Sequence, residues 1–233
     1  MLTCIICSRH ADISEGLKEN ISATIGCEYE LVVIDNSENK YSMFSAYNEG
    51  VHRAKGSVLC FMHEDIYYHT IGWGNVVENK FQKNTRIGLI GVLGSHYLPN
   101  CICNVGDSGL LSACYINDKK RIINNDQYMI NGMAEVVVVD GMWLCIKREL
   151  FDSIRFDESF DGFHLYDMDI CMQINQLGYK CVVINDILVE HYSLGGINDK
   201  FLENSRKFHE KWKNVLPIAA GGGIFSDRNE IIN

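Results

Sequence analysis

Apolar and polar positions follow two different periods along the first ninety residues. Residues 2–7 (LTCIIC) are apolar almost throughout and read as a buried strand. A helix is expected from about Asp12, because Ile13, Leu17 and Ile21 recur every four residues, and Asp12 and Glu15 have the capping-box spacing. Residues 31–34 (LVVI) form a second strand that ends in Asp35-Asn36-Ser37. Phe44, Tyr47, Val51 and Ala54 line one side of a second helix, with Gly56 placed to stop it. Residues 58–62 form a third strand, ending at His63-Glu64-Asp65. A third helix turns Trp73, Val76, Val77 and Phe81 inward, and a strand over 86–92 follows.

Apolar strands alternating with amphipathic helices predict an α/β fold, a mostly parallel sheet flanked by helices on both faces. Ligands of such sheets bind beyond the carboxyl ends of the strands, so polar residues there carry extra weight. Residues 95–134 break the rhythm. Gly106, Gly109, Asn124 and Asn125 interrupt them, and short antiparallel pieces are expected. Residues 135–146 (EVVVVDGMWLCI) resume as a strand interrupted at Asp140-Gly141. Residues 166–178 read as a helix with Ile170, Ile174 and Leu177 inward and Gly178 as its stop; 181–184 and 187–189 are extended. From about Asn198 a further amphipathic helix carries Phe201, Phe208 and Trp212 on one stripe, closed by Pro217 and Gly221-Gly222-Gly223.

Composition narrows the function classes. The 233 residues hold 21 Lys plus Arg and 30 Asp plus Glu, a formal charge of −9, which argues against general nucleic-acid binding. A hydrophobic share of 47 % supplies a full core, and only Pro99 and Pro217 are prolines, so a disordered or fibrous chain is excluded. Several of the ten cysteines fall inside apolar runs, as Cys60 does in SVLCF. They read as reduced, buried thiols of a cytoplasmic protein, with no secretory leader pattern ahead of them. No run of eighteen apolar residues spans a membrane.

Four constellations bear on chemistry. In His63-Glu64-Asp65, the residues two apart project to one side of an extended chain, so His63 and Asp65 could hold a hard divalent cation completed by substrate phosphate; a surface acidic turn is the alternative. Asp35-Asn36-Ser37 is either a turn or an acceptor of nucleobase hydrogen bonds. The stretch 157–169 (DESFDGFHLYDMD) fits the first positions of a calcium loop but has Met168 where the bidentate carboxylate is required, so that reading is rejected. Asp167 and Asp169 open a helix there, where the dipole favours carboxylates. Glu190-His191-Tyr192 follows a strand and precedes Gly195-Gly196, as an active-site lid would require; a structural histidine is the alternative. Cys4-Ile5-Ile6-Cys7 has redox spacing but lies within a strand, and Gly88, Gly91 and Gly94 do not form a dinucleotide fingerprint.

Taken in order, these segments resemble the family-two nucleotide-sugar glycosyltransferases of the GT-A fold, in particular a bacterial glycosyltransferase-like subgroup. The residues that carry the resemblance are Cys7-Ser8-Arg9, LVVIDNS, Tyr47-Asn48-Glu49-Gly50, Ala54-Lys55-Gly56 and His63-Glu64-Asp65. Downstream, Asp140-Gly141-Met142-Trp143, Lys147-Arg148-Glu149-Leu150-Phe151, Phe156-Asp157-Glu158-Ser159-Phe160, Tyr166-Asp167-Met168-Asp169, Gly178-Tyr179-Lys180 and Val189-Glu190-His191 continue it. It covers about residues 1 to 196 as one catalytic domain, with 95–134 as an acceptor-side insert and 197–233 as an amphipathic helix and tail. Two positions depart from the family pattern: His63 replaces the first aspartate of its Asp-x-Asp motif, and Tyr166 replaces the Glu of its Glu-Asp pair.

The resemblance implies transfer of a sugar from a nucleoside diphosphate sugar, most often UDP-linked, to an acceptor hydroxyl, with inversion, as in bacterial polysaccharide biosynthesis. It puts Ser8, Arg9, Asp35, Asn48, His63 and Glu64 at the nucleotide. Asp65, His63 and His191 would hold Mn²⁺ or Mg²⁺. Asp167 would be the general base, with Asp169 as the alternative, and Gly141, Trp143 and Tyr166 would meet sugar or acceptor. Trp143 either stacks on a sugar or is a core tryptophan. A glycan or lipid-linked acceptor and contact with the inner face of the membrane are compatible, and the tail helix packs on the core, pairs subunits or rests on that membrane. An inactive nucleotide-sugar-binding module and a metal-dependent phosphate-ester hydrolase are the competing functions.

Overall fold

A computed structural model describes residues 1–105, 110–112, 115–117, 121–123, 132–193 and 196–222; Gly106, Gly109, Cys114, Asn124, Asn125 and Gly195 lie outside them. The first half runs β1 (Leu2–Ser8), α1 (Glu15–Thr24), β2 (Tyr29–Asp35), α2 (Met43–Arg53), β3 (Val58–Met62), β4 (Ile66–Tyr68), α3 (Trp73–Lys83), β5 (Ile87–Gly91), β6 (Leu93–Ser95) and β7 (Tyr97–Leu98). Then come short strands β8 (Leu110–Ser112), β9 (Tyr115–Asn117) and β10 (Arg121–Ile123), followed by β11 (Met133–Val136), β12 (Val138–Val139), β13 (Trp143–Lys147), α4 (Tyr166–Gln176), β14 (Lys180–Ile184), β15 (Val189–His191), α5 (Asp199–Trp212) and β16 (Ile218–Ala219).

Strand alternation divides the apolar residues between two cores. Leu2, Cys4 and Ile6 of β1 face one side, with Leu17 and Ile21 of α1 and Trp73, Val77 and Phe81 of α3. Ile5 faces the other, with Phe44 and Tyr47 of α2 and Ile170 and Ile174 of α4. A strand apolar on both faces therefore sits between two helical layers. The seven-stranded sheet has the order β11-β14-β5-β13-β3-β1-β2. Pairs β1–β2, β1–β3 and β5–β14 are parallel. The sheet is mixed and mostly parallel, as expected.

Several local expectations are corrected. β13 runs antiparallel between β3 and β5, against the mostly parallel direction of the sheet. The run 135–146 is three strands rather than one: β11 pairs with β14, β12 with β6, and the chain reverses at Asp140-Gly141 into β13. Ser14, not Asp12, caps α1, its side chain accepting the Leu17 N–H. Gly56 does not stop α2, which ends at Arg53; a β-carbon on Gly56 would meet Thr3 Oγ1 at 2.6 Å, so this glycine serves close approach to β1. Leu177 is exposed rather than inward, whereas Gly178, at φ +78°, does end α4. The nine described cysteines are free, and most are buried.

Asn48, expected at the nucleotide, instead binds the loop before α4. Its amide donates to Phe156 O (2.8 Å) and Glu158 Oε1 (2.7 Å), and its carbonyl accepts the Phe156 N–H (3.1 Å). Asn48→Ala is expected to cost about 1–3 kcal/mol by leaving these groups unpaired. A urea melt reads this loss, and an unchanged midpoint would show the loop to be held by other means.

Candidate active site

The parallel strands β1, β2 and β3 all end at one edge, in Ser8, Asp35 and Met62. Because β13 runs the opposite way, its start lies at that same edge: Trp143 pairs with Met62, and His63 N–H donates to Met142 O at 3.0 Å. This is why Asp140-Gly141, 77 residues downstream, stands beside the His63 segment. β15 pairs with β4, setting His191 opposite Ile66, while Tyr192 N–H donates to Asp65 O at 3.0 Å. The amino end of α4 brings Tyr166 and Asp167 to the same place.

His63, Asp65 and His191 converge, with one ligating atom from each lying within 4.8 Å of the others. His63 Nδ1 is 3.1 Å from His191 Nε2, and Asp65 Oδ1 is 3.3 Å from that nitrogen and 3.9 Å from His63 Nδ1. Burial, then the neighbouring His191, lowers the His63 pKa to about 4, so the ring is neutral near pH 7 and offers a lone pair. Burial opposes ionisation of Asp65, but hydrogen bonds and charge from His191, with Ser193 and His63, outweigh it and hold the carboxyl well below the usual range. Two imidazoles, that of His63 neutral near pH 7, and an ionised carboxylate at this spacing fit a divalent transition-metal cation.

The middle residue of the motif points elsewhere. Glu64 Oε2 accepts from Ser8 Oγ (2.6 Å), and Oε1 accepts from Arg9 Nε (3.0 Å) and Arg9 N (3.2 Å). Glu64 thus ties the end of β3 to the end of β1. Beside this clamp opens a cavity of about 430 Å³, lined among others by Arg9, Tyr41, His63, Asp65, Phe163 and Ser193.

Asp167 follows Tyr166 in the first turn of α4. Its Oδ2 accepts the Gly141 N–H (2.8 Å) and its Oδ1 the Met168 N–H (2.9 Å). Burial, then the Asp140 carboxylate, raises its pKa to about 7 against those two backbone donors. Asp140, itself raised by burial, accepts the Met142 N–H at 2.9 Å, so successive amides of one turn hold the two carboxylates side by side. Tyr166 links the halves of the site, its Oη lying 2.9 Å from His63 Nε2. A carboxyl poised near neutrality beside a cation-binding cluster suits proton abstraction from a hydroxyl.

The profile of the glycosyltransferase-like family matches residues 3–212. The chain belongs to that family. It is 25 % identical over 213 residues to "ATP synthase subunits region ORF 6" of Fuscovulum blasticum, covering 85 % of this chain and 81 % of that one. It is 22 % identical over 183 residues to the amylovoran biosynthesis glycosyltransferase AmsB of Erwinia amylovora, covering 77 % of this chain and 56 % of that enzyme. In structure it is similar to GalNAc-T7 solved with UDP, GalNAc and Mn²⁺, at a TM-score of 0.64 and 14 % identity, over 92 % of this chain and 49 % of that one. The fold is GT-A. The chain spans about half the length of GalNAc-T7.

Within this glycosyltransferase-like protein the residues expected at the site separate. Arg9, His63 and Asp65 line the cavity; His191 and Tyr166 contact His63, and Gly141 and Asp167 pair beside Tyr166. Ser8 is fully buried, its hydroxyl committed to Glu64. Asp35 is exposed and receives the Ser37 N–H at 2.9 Å, the turn alternative, while Asn36, Asn39 and Tyr41 of the same loop line the cavity. Trp143 is a core residue, 0 % exposed and edge-on to Trp73, so no sugar can reach its ring. Asp169 is 0 % exposed under α5, held by Trp212 Nε1 (2.9 Å), Gln173 Nε2 (2.7 Å) and Lys211, which removes it as a base.

Three residues beside the site are given no role by the sequence reading. Phe163 is 47 % exposed with its ring 5.3 Å from that of His63; Gly162, at φ +76°, turns it there. Ser193, two residues past His191, places its Oγ 3.1 Å from His191 Nε2, a spacing the two-residue period would have offered. Asp140 reads in the sequence as an interruption in a strand and as part of the Asp140-Gly141-Met142-Trp143 motif, with no role of its own.

Proposed function

We propose that the protein is a glycosyltransferase that moves a hexose from a nucleoside diphosphate sugar, UDP-linked by analogy with the ligand of GalNAc-T7, to an acceptor hydroxyl. The observation that carries this reading is the placement of the His63–Asp65–His191 cluster and the near-neutral carboxyl of Asp167 at one sheet edge, joined through Tyr166. His63, Asp65 and His191 would hold the cation, and two imidazoles in the set favour Mn²⁺ over Mg²⁺. A cation held by these three residues would neutralise charge on the departing diphosphate without proton transfer. Arg9, exposed at the cavity and paired with Glu64, has guanidinium donors left to meet an anionic donor substrate.

Asp167 accepts the acceptor's proton as its oxygen attacks the anomeric carbon. The Gly141 and Met168 amides fix the orientation of its carboxylate. One displacement inverts the anomeric centre. The acceptor is a glycan or lipid-linked glycan in polysaccharide biosynthesis, the process in the name of AmsB. Among the described residues no helix is long and apolar enough to cross a membrane; a cytoplasmic enzyme meeting a lipid-linked acceptor at the inner membrane face accords with this.

A panel of nucleotide sugars tested by thermal shift with and without Mn²⁺, followed by nucleoside diphosphate release with acceptor, tests the proposal. No donor-dependent rise in melting temperature across the panel would reject it. The base adds a pH signature. Asp167 is protonated below about 7 in the folded protein, so kcat/KM is expected to rise about tenfold per pH unit on the acid side and level off above about 7. A profile already flat at pH 5 would remove Asp167 from the role.

A further inference from the structure

We infer that Tyr166 is a positioning residue, whose phenol holds the His63 imidazole with its proton on Nε2 and the bare Nδ1 turned to Asp65 and His191. The inference rests on the proposed cation site. His63 offers two ring nitrogens to two different neighbours: Nε2 lies 2.9 Å from Tyr166 Oη, and Nδ1 lies 3.1 Å from His191 Nε2. A neutral imidazole carries one proton, and a ligating nitrogen must carry none. If Nδ1 is to ligate, the proton belongs on Nε2 and needs an acceptor there. Tyr166 Oη is the group in place. A proton on His191 Nε2 would lie within reach of His63 Nδ1, Asp65 Oδ1 or Ser193 Oγ while no cation is bound, which is consistent with a bare His63 Nδ1.

The phenol cannot swing away. Tyr166 is 3 % exposed, and its ring meets Tyr47 edge-on at 5.3 Å and Phe163 at 6.1 Å. A β-carbon on Gly141 would lie 2.2 Å from Tyr166 Oη, so the glycine leaves only enough room for the hydroxyl. The two departures from the resembled pattern, His63 and Tyr166, thus meet as one unit. A carboxylate at position 166 would also accept from Nε2, but it would favour the doubly protonated ring, which cannot ligate, and would add a third negative charge beside Asp140 and Asp167. A neutral phenol fixes the tautomer and avoids both effects.

The test uses the full chain. In ¹⁵N spectra of the native protein without metal, the His63 ring is expected to carry its proton on Nε2; a proton on Nδ1 overturns the inference without any variant. Tyr166→Phe is expected to mix the two tautomers and to weaken Mn²⁺ binding, followed by the EPR of free Mn²⁺, by about 10–100-fold. His63→Ala serves as the reference. If the native chain binds Mn²⁺ and His63→Ala weakens it, while Tyr166→Phe keeps both native affinity and tautomer, the positioning role is wrong and the cation site stands. If the native chain binds no Mn²⁺, or His63→Ala binds as tightly, the cation site falls and this inference with it.

Discussion

Asp167→Asn is expected to lower turnover by about 10²–10⁴-fold, or about 3–5 kcal/mol in barrier, while donor and Mn²⁺ binding persist. Asn has nearly the volume of Asp, and one oxygen remains to accept either the Gly141 or the Met168 N–H. What the variant lacks is a group that takes a proton near pH 7. The raised pKa matters here, because a carboxylate at its ordinary value is too weak a base to help much. Nucleoside diphosphate release with saturating donor and acceptor measures turnover, and calorimetry with donor measures binding. Loss of less than threefold in turnover would rule out Asp167 as the base. Loss of donor binding as well would mean that it contacts the donor instead.

Much of this site was legible because it depends on short-range geometry. His63 and Asp65 are two apart and do converge at short range, but through the turn at Glu64-Asp65 between β3 and β4 rather than through the pleat of a strand. The apolar run of β1 announced a strand covered on both faces, and its alternate residues do enter two separate cores. Direction was not legible: a run such as MWLCI reads the same up or down a sheet, so the antiparallel entry of β13 between β3 and β5 could not be seen. Its consequence, Gly141 beside Asp167, was likewise hidden from spacing and came only through the resemblance. The same ambiguity lets Trp143 face either layer, and it faces the core. β4 has only three residues and drew no periodic pattern, yet it is the strand that sets His191 against Asp65.

The choice between Asp167 and Asp169 was decidable from helix geometry. Residues two apart on a helix are separated by about 200°, so both cannot face one cleft. Asp167 faces the site, and Asp169 therefore faces α5. There its Oδ1 accepts from Trp212 Nε1, and Lys211 and Gln173 Nε2 complete its shell. Burial raises the Asp169 pKa, with Lys211 opposing it, so the carboxylate is costly to keep and its partners are what hold it there. Asp169→Ala removes the charge but strands a buried indole N–H, takes one acceptor from the Gln173 amide, and leaves Lys211 with Asp157 and the Phe160 and Trp212 rings. A loss of about 2–4 kcal/mol is expected, below the full cost of breaking a buried pair because Lys211 keeps one carboxylate and partial access to water. Urea unfolding followed by Trp212 emission should show α5 loosening at lower denaturant, while turnover per folded molecule stays native. A variant of native stability that had lost turnover would restore Asp169 to the chemistry and overturn its assignment as the anchor of α5.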